Sequence, residues 1–203
     1  MMMSTIVKDG RELAVRLGQC ANAELCGGYS NCPLKKAPSE RCSTPKALER
    51  WLMELIQEFL YRVKTTGPLK TTKGSPDGER NYWIVSDADI EGPRIKARIA
   101  AAGSDWMRVS DDGFWRPDVR VPFQTDDGET VLMHYTGLVQ QTNAFRKAAE
   151  SDQPTDWSDQ YMRLMMHFDT GAKRYSWLNT SLFVAKGRLL GTGNIEYAVY
   201  RVT

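Results

Sequence analysis

From Asn81 to the end, the chain is a succession of short β-prone runs separated by tight-turn signals, and this pattern narrows the fold more than any other feature. The runs are Asn81–Val85, Arg94–Ala101, Asp105–Val109, Phe114–Gln124, Thr130–Gly137, Tyr161–Thr170, Leu178–Leu189 and Ile195–Val202. Between them stand Glu91-Gly92-Pro93, Asp111-Asp112-Gly113, Asp126-Asp127-Gly128 and Gly191-Thr192-Gly193-Asn194. Asp-Gly between two β-prone runs favours an antiparallel hairpin. One helix, Thr142 to about Ser151, interrupts the series. Eight or nine short strands joined this way predict an antiparallel barrel, because closure removes the unpaired edges.

The amino-terminal quarter reads differently. All four cysteines, Cys20, Cys26, Cys32 and Cys42, fall within the first 42 residues, in the pattern C-x5-C-x5-C-x9-C. Four thiolates can close a tetrahedral zinc site, and a small loop-rich segment needs such a staple. The spacing lacks the C-x2-C pair of the strong zinc motifs, so disulfides and independent thiols stay open as alternatives. Thr44-Pro45 reads as a helix start, followed by Leu48, Trp51, Leu52, Leu55, Ile56, Phe59 and Leu60 at three-four spacing. Phe59–Val63 also reads as a strand, and Lys64–Arg80 reads as a Gly/Pro/Thr/Lys-rich loop. The expected organisation is a small cysteine-containing, partly helical segment over 1–52 and a β-barrel over 53–203.

Charge and hydropathy exclude several classes. Twenty-seven Lys plus Arg stand against 25 Asp plus Glu, and 41% of residues are hydrophobic. That balance leaves no electrostatic footprint for nucleic acid or an anionic membrane. Residues 1–52 are more basic than the rest, but Lys35-Lys36 is their one adjacent basic pair, so a nucleic-acid partner is not expected. No run reaches the roughly 18 apolar residues of a membrane span, and Met1-Met2-Met3-Ser4-Thr5 does not begin a secretion signal, so a cytoplasmic location is expected.

A set of motifs within the strand-rich region carries a resemblance. They are Ile90-Glu91-Gly92-Pro93, Gly103-Ser104-Asp105-Trp106, Asp118-Val119-Arg120, Thr125-Asp126-Asp127-Gly128, Tyr135-Thr136-Gly137, Phe168-Asp169-Thr170-Gly171 and Tyr175-Ser176-Trp177-Leu178-Asn179. In order and spacing, from near Met53 to the end, they resemble the family known as domain of unknown function 3237. The resemblance implies a mainly β, calycin- or lipocalin-like antiparallel barrel with a central cavity. It implies no established reaction. Here Asp169 stands where the family carries glutamate, and His167 where proline is common.

Candidate site residues follow from strand parity, since a barrel strand alternates inward and outward side chains. Arg116, Asp118 and Arg120 share one face of their run, and Arg163, Met165, His167 and Asp169 share one face of theirs. Alternation alone does not assign the inward face. An inward Arg120 would supply a fork for an anion, with Asp118 orienting it or acting as a base. His134 and His167 are the two histidines of the chain; either could shuttle protons near neutrality, and His167 is the first candidate. Trp106, Tyr135, Phe168, Tyr175 and Trp177 are candidate pocket walls, and Asn179 offers an oriented amide or a turn cap. No nucleophile elbow, phosphate loop or dinucleotide fingerprint is present, so no cofactor is expected in the barrel. The reading is a barrel that binds a small aromatic or anionic organic molecule, with Arg120, Asp118 and Tyr135 anchoring its polar end and Trp106, Phe168, Tyr175 and Trp177 lining its apolar end. Its alternatives are a cofactor-free isomerase, cyclase or lyase using Asp118, Arg120 and His167, and an interaction scaffold built on the cysteine segment.

Overall fold

The computed structural model describes residues 4–8, 11–15, 53–71, 74, 76 and 78–203. It divides into two compact units, 1–53 and 54–203. In the first unit β1 (Ser4–Lys8) and β2 (Arg11–Val15) pair as an antiparallel hairpin. The four cysteines and Thr44–Leu52 lie outside the described residues.

The second unit is a closed antiparallel barrel of ten strands. They are β3 (Leu55–Lys70), β4 (Arg80–Glu91), β5 (Lys96–Ile99), β6 (Gly103–Val109), β7 (Phe114–Arg116) and β8 (Asp118–Thr125), then β9 (Thr130–Gln140), β10 (Met162–Asp169), β11 (Leu182–Gly191) and β12 (Asn194–Val202). Around the wall the order is β10-β11-β12-β3-β4-β5-β8-β6-β7-β9, and β9 closes on β10 through eight paired positions. The helix α1 (Asn143–Ser151) starts where Thr142 accepts the amide of Phe145. A short helix, α2 (Ser176–Asn179), follows a single helical turn at Lys173–Tyr175.

Two expectations are corrected. Ten strands form where eight or nine are expected, because Pro117 divides the run Phe114–Gln124 in two. Proline has no N–H to give the ladder. The helical stripe is overturned from Leu55 onward. Leu55, Ile56, Phe59 and Leu60 belong to a 16-residue strand that pairs with both β12 and β4. That strand runs on to Lys70 through a register slip at Gly67-Pro68, so half of the expected loop is ladder.

Alternation decides what lies inside. Phe59, Tyr61 and Val63 of β3 point inward, as do Val119, Val121 and Phe123 of β8 and Met162, Leu164, Met166 and Phe168 of β10. Their outward neighbours are polar or exposed, a period of two that a barrel wall requires.

Candidate functional site

The interior is not uniformly apolar. Tyr61, Tyr135 and Tyr197 converge there, each at most 3% exposed. Cross-strand pairing of β3 with β12 sets Tyr61 opposite Tyr197, and their rings stack at 5.6 Å. The Tyr135 ring meets Tyr61 edge-on, and the two hydroxyl oxygens lie 3.4 Å apart. Phe123 closes the other edge of Tyr61 at 6.0 Å.

Beside this cluster Asp105 of β6 is buried, 6% exposed. β6 sets it opposite Trp83 on one side and Val119 on the other, so it shares the inward row. Its Oδ1 accepts the amide N–H of Asp118 at 3.1 Å. Burial lifts its carboxyl to about 7; the Asp118 amide pulls the value down and the Asp118 carboxylate pushes it up. Burial also drives the phenols of Tyr61, Tyr135 and Tyr197 upward, so all three stay protonated donors. On the same wall the indole N–H of Trp83 and the amide oxygen of Asn81 are buried without a hydrogen-bond partner. A buried polar atom left unpaired costs about 1–3 kcal/mol. The interior therefore holds one proton acceptor near neutrality, a set of hydroxyl donors, and unused donor and acceptor groups for a guest.

The residues expected to act together are scattered between the outer wall, the interior and the end of the barrel. Asp118 and Arg120 point outward, as does His167; the inward Arg120 is thus corrected by the parity of β8, whose buried members are Val119, Val121 and Phe123. On the outer wall they do assemble. Asp118 Oδ1 accepts from Arg120 at 3.1 Å and lies 3.0 Å from Nε2 of His134, whose ring stacks on His167 at 6.3 Å. Among the described residues no group of three or more His, Cys, Asp or Glu is placed to hold a metal ion.

Tyr135 and Phe168 are interior, so Tyr135 cannot share an anchor with Arg120 across the wall. Trp106 is 51% exposed on the outer face, edge-on to Tyr82 at 5.1 Å. Tyr175 is buried and donates its hydroxyl to Asp127 at 2.8 Å. Trp177 covers one end of the barrel, against Phe183 and beneath the Arg94 guanidinium at 3.8 Å. Asn179 is a turn cap: its amide gives to the carbonyl of Thr170 and accepts from the Thr170 N–H. Asp105, Tyr61, Tyr197 and Trp83 were not singled out from the sequence, although Asp105 lies inside a quoted motif, one position from Trp106.

The family model described as protein of unknown function (DUF3237) matches residues 53–202. The chain belongs to this family. A UPF0311 protein of Clostridium acetobutylicum is 22% identical over 135 residues, covering 66% of this chain and 85% of the relative. A UPF0311 protein of Rhodopseudomonas palustris is 24% identical over 107 residues, 53% of this chain and 70% of that one. Among solved structures, a conserved R. palustris protein of unknown function superposes with a TM-score of 0.67 at 21% identity, covering 75% of this chain and 99% of its own. A β-barrel-like protein of Acinetobacter baumannii gives 0.63 at 25%, over 75% and 97%. A protein described as an enzyme from Penicillium herquei gives 0.51 at 16%, over 75% and 94%. These likenesses establish the barrel, and they leave the chemistry of this DUF3237 chain to its residues.

Proposed function

We propose that the barrel binds a small organic molecule in its interior, with the molecule's ionisable hydroxyl or enol against Asp105 and its ring against the tyrosine cluster. The observation that carries this reading is Asp105 itself. A buried carboxyl lifted to about 7 among tyrosine hydroxyls, beside the unpartnered Trp83 N–H, is costly for a purely structural core. A phenol or enol would donate to the ionised carboxylate, accept from Trp83 or a tyrosine, and lay its flat face on the stacked rings.

A second reading, proton transfer on an enolisable substrate, is favoured by the same carboxyl. A general base works best with a pKa near the operating pH, and buried tyrosines supply donors for a developing enolate oxygen. Asp105 would take the proton and Tyr135 with Tyr61 would hold the oxyanion. The P. herquei protein described as an enzyme, which superposes on this barrel, supports this reading.

The test is calorimetric titration with a panel of simple phenols and β-dicarbonyl compounds at pH 6 and pH 8, on the wild type and Asp105→Asn. Affinity for a bound phenol should rise as Asp105 ionises and lose that pH dependence in Asp105→Asn. For the second reading, deuterium uptake from solvent at the acidic carbon of a β-dicarbonyl should be accelerated by the wild type alone. Absence of binding across the panel, with only the bare chain in native mass spectra of protein from its own source, would overturn the proposal.

A further inference from the structure

The outer wall of the barrel carries an apolar groove that the interior reading does not use. Its volume is about 640 Å³, and it lies over β9, β10, β11 and β12. Volumes of about 300–1,000 Å³ are those of small-molecule sites. Cross-strand register orders its floor. Arg163 stands opposite Lys186, and one step along the same outward face Met165 stands opposite Val184, which stands opposite Tyr200. Met165 is 58% exposed, and Leu138, opposite Arg163, and Tyr161, beneath its guanidinium, add further exposed apolar surface to the groove.

The two cations are the second observation. Like charges directly opposite one another on neighbouring strands repel. Most arginines of the barrel answer to a carboxylate: Arg62, Arg94, Arg116, Arg120, Arg174, Arg188 and Arg201 all sit in ion pairs. Arg163 and Lys186 do not, among the described residues. The hydrogen bond Arg163 makes is to the carbonyl of its own neighbour, Met162, and its guanidinium lies 4.9 Å over the Tyr161 ring. Lys186 Nζ sits between the rings of Trp157 and Tyr200, at 5.2 and 5.8 Å. Aromatic faces thus hold two like charges together within an apolar groove, and among the described residues no carboxylate pairs with either.

We propose that this groove is a binding site for an amphipathic carboxylate, its head held between Arg163 and Lys186 and its apolar tail laid along Met165, Val184 and Tyr200. The guanidinium offers a planar fork to the two carboxylate oxygens, and the ammonium adds a point charge. The head relieves the repulsion between the paired cations, and the tail withdraws exposed methionine and leucine surface from water. An apolar cation would meet the wrong field, and a hydrophilic polyanion would leave the apolar floor wet. This site stands independently of the interior one, on the outer face of the wall and away from Asp105 of β6 and Trp83 of β4.

Dodecanoate, kept below its micelle-forming concentration, is the probe, with dodecyltrimethylammonium as its counterpart of opposite charge. Titration of the full chain should give saturable one-to-one binding of dodecanoate and none of the cation. The charge reversals Arg163→Glu and Lys186→Glu, both at the surface, should each weaken dodecanoate at least about tenfold, the scale expected for a lost charge-assisted pair. The neutral pair Arg163→Gln and Lys186→Gln should do the same should a reversal fail to fold. With carbon-13 in the methionine methyl groups, the Met165 signal should shift on titration. Equal binding of both amphiphiles would overturn the proposal, as would dodecanoate affinity within about twofold across the charge variants. Loss of dodecanoate binding in Asp105→Asn but not in the reversals would also overturn it, by placing the ligand inside the barrel.

Discussion

Asp105 carries the sharpest consequence at the scale of one residue. Its folded-state value of about 7 stands above the ordinary carboxylate value of 3.8 because burial disfavours the charge. Folding therefore holds the proton more tightly than the unfolded chain does. The stabilisation is fully present below the unfolded value, declines as pH rises through the window from about 4 to about 7, and is gone above it. At 1.36 kcal/mol for each unit, the span is on the order of 4 kcal/mol. Asp105→Asn keeps an oxygen for the Asp118 amide and carries no charge, so its stability should be flat across the window and exceed that of the wild type at pH 8. Urea melts from pH 4 to pH 8 measure this directly, and parallel wild-type and variant curves would refute it. Asp105 was legible in the sequence as part of Gly103-Ser104-Asp105-Trp106, yet the choice between it and Trp106 rests on which face of β6 turns inward. Alternation states that two neighbours differ, and only closure of the barrel states which is inside.

At the scale of the element, β3 shows why one strand read as a helix. Its inward residues Phe59, Tyr61 and Val63 alternate cleanly, but the pairing with β12 skips a residue between Phe59 and Gln57. The skipped residue is Glu58, a bulge, which shifts Leu55 and Ile56 out of phase and leaves a spacing that imitates 3.6 residues per turn. The bulge also buries Glu58 at 4% exposure, where it accepts from Arg201 at 2.7 Å and Arg94 at 3.3 Å. Removing Arg201 leaves that carboxylate with one half-exposed partner. Arg201→Ala should cost roughly 1–3 kcal/mol, the cost of leaving a buried group under-satisfied, and Glu58→Gln in the same chain should restore part of it. Denaturant midpoints of the two variants test this, and an Arg201→Ala melt matching the wild type would sink it.

β11 supplies a second case at that scale. Gly187 points inward, and an added Cβ would run into Met162 Sδ and the ring of Tyr197. Gly187→Ala should therefore displace Tyr197 from its stack on Tyr61, at a cost of about 1–3 kcal/mol from overpacking. A near-ultraviolet circular dichroism spectrum that stays unchanged would contradict it. The strands bearing Tyr197 and Tyr135 were placed correctly by their turn signals. Their meeting was not legible, because it depends on β12 closing on β3, a pairing between residues 130 or more positions apart.

The whole molecule adds a separation. Every ladder that closes the barrel joins residues of the second unit, and its buried hydrophobic cluster runs from Phe59 to Val199. The solved relatives from R. palustris and A. baumannii are matched over 99% and 97% of their own length by 75% of this chain. Barrels of this kind are thus crystallised with almost no chain beyond the part that this protein shares. A barrel of 150 residues buries a large enough share of its surface to fold alone. Residues 54–203 by themselves should then unfold in one cooperative transition, with a midpoint close to that of the full chain and the same decline in stability between about pH 4 and pH 7. The pH dependence is the stricter criterion, because it arises within the barrel, from the burial of Asp105 and from the amide and carboxylate of Asp118 beside it. A shortened chain that melts without cooperativity would show that the first unit is part of the fold. One that melts cooperatively but has lost the pH dependence would show that the environment of Asp105 is completed from outside the barrel, and the interior site would have to be redrawn to include it.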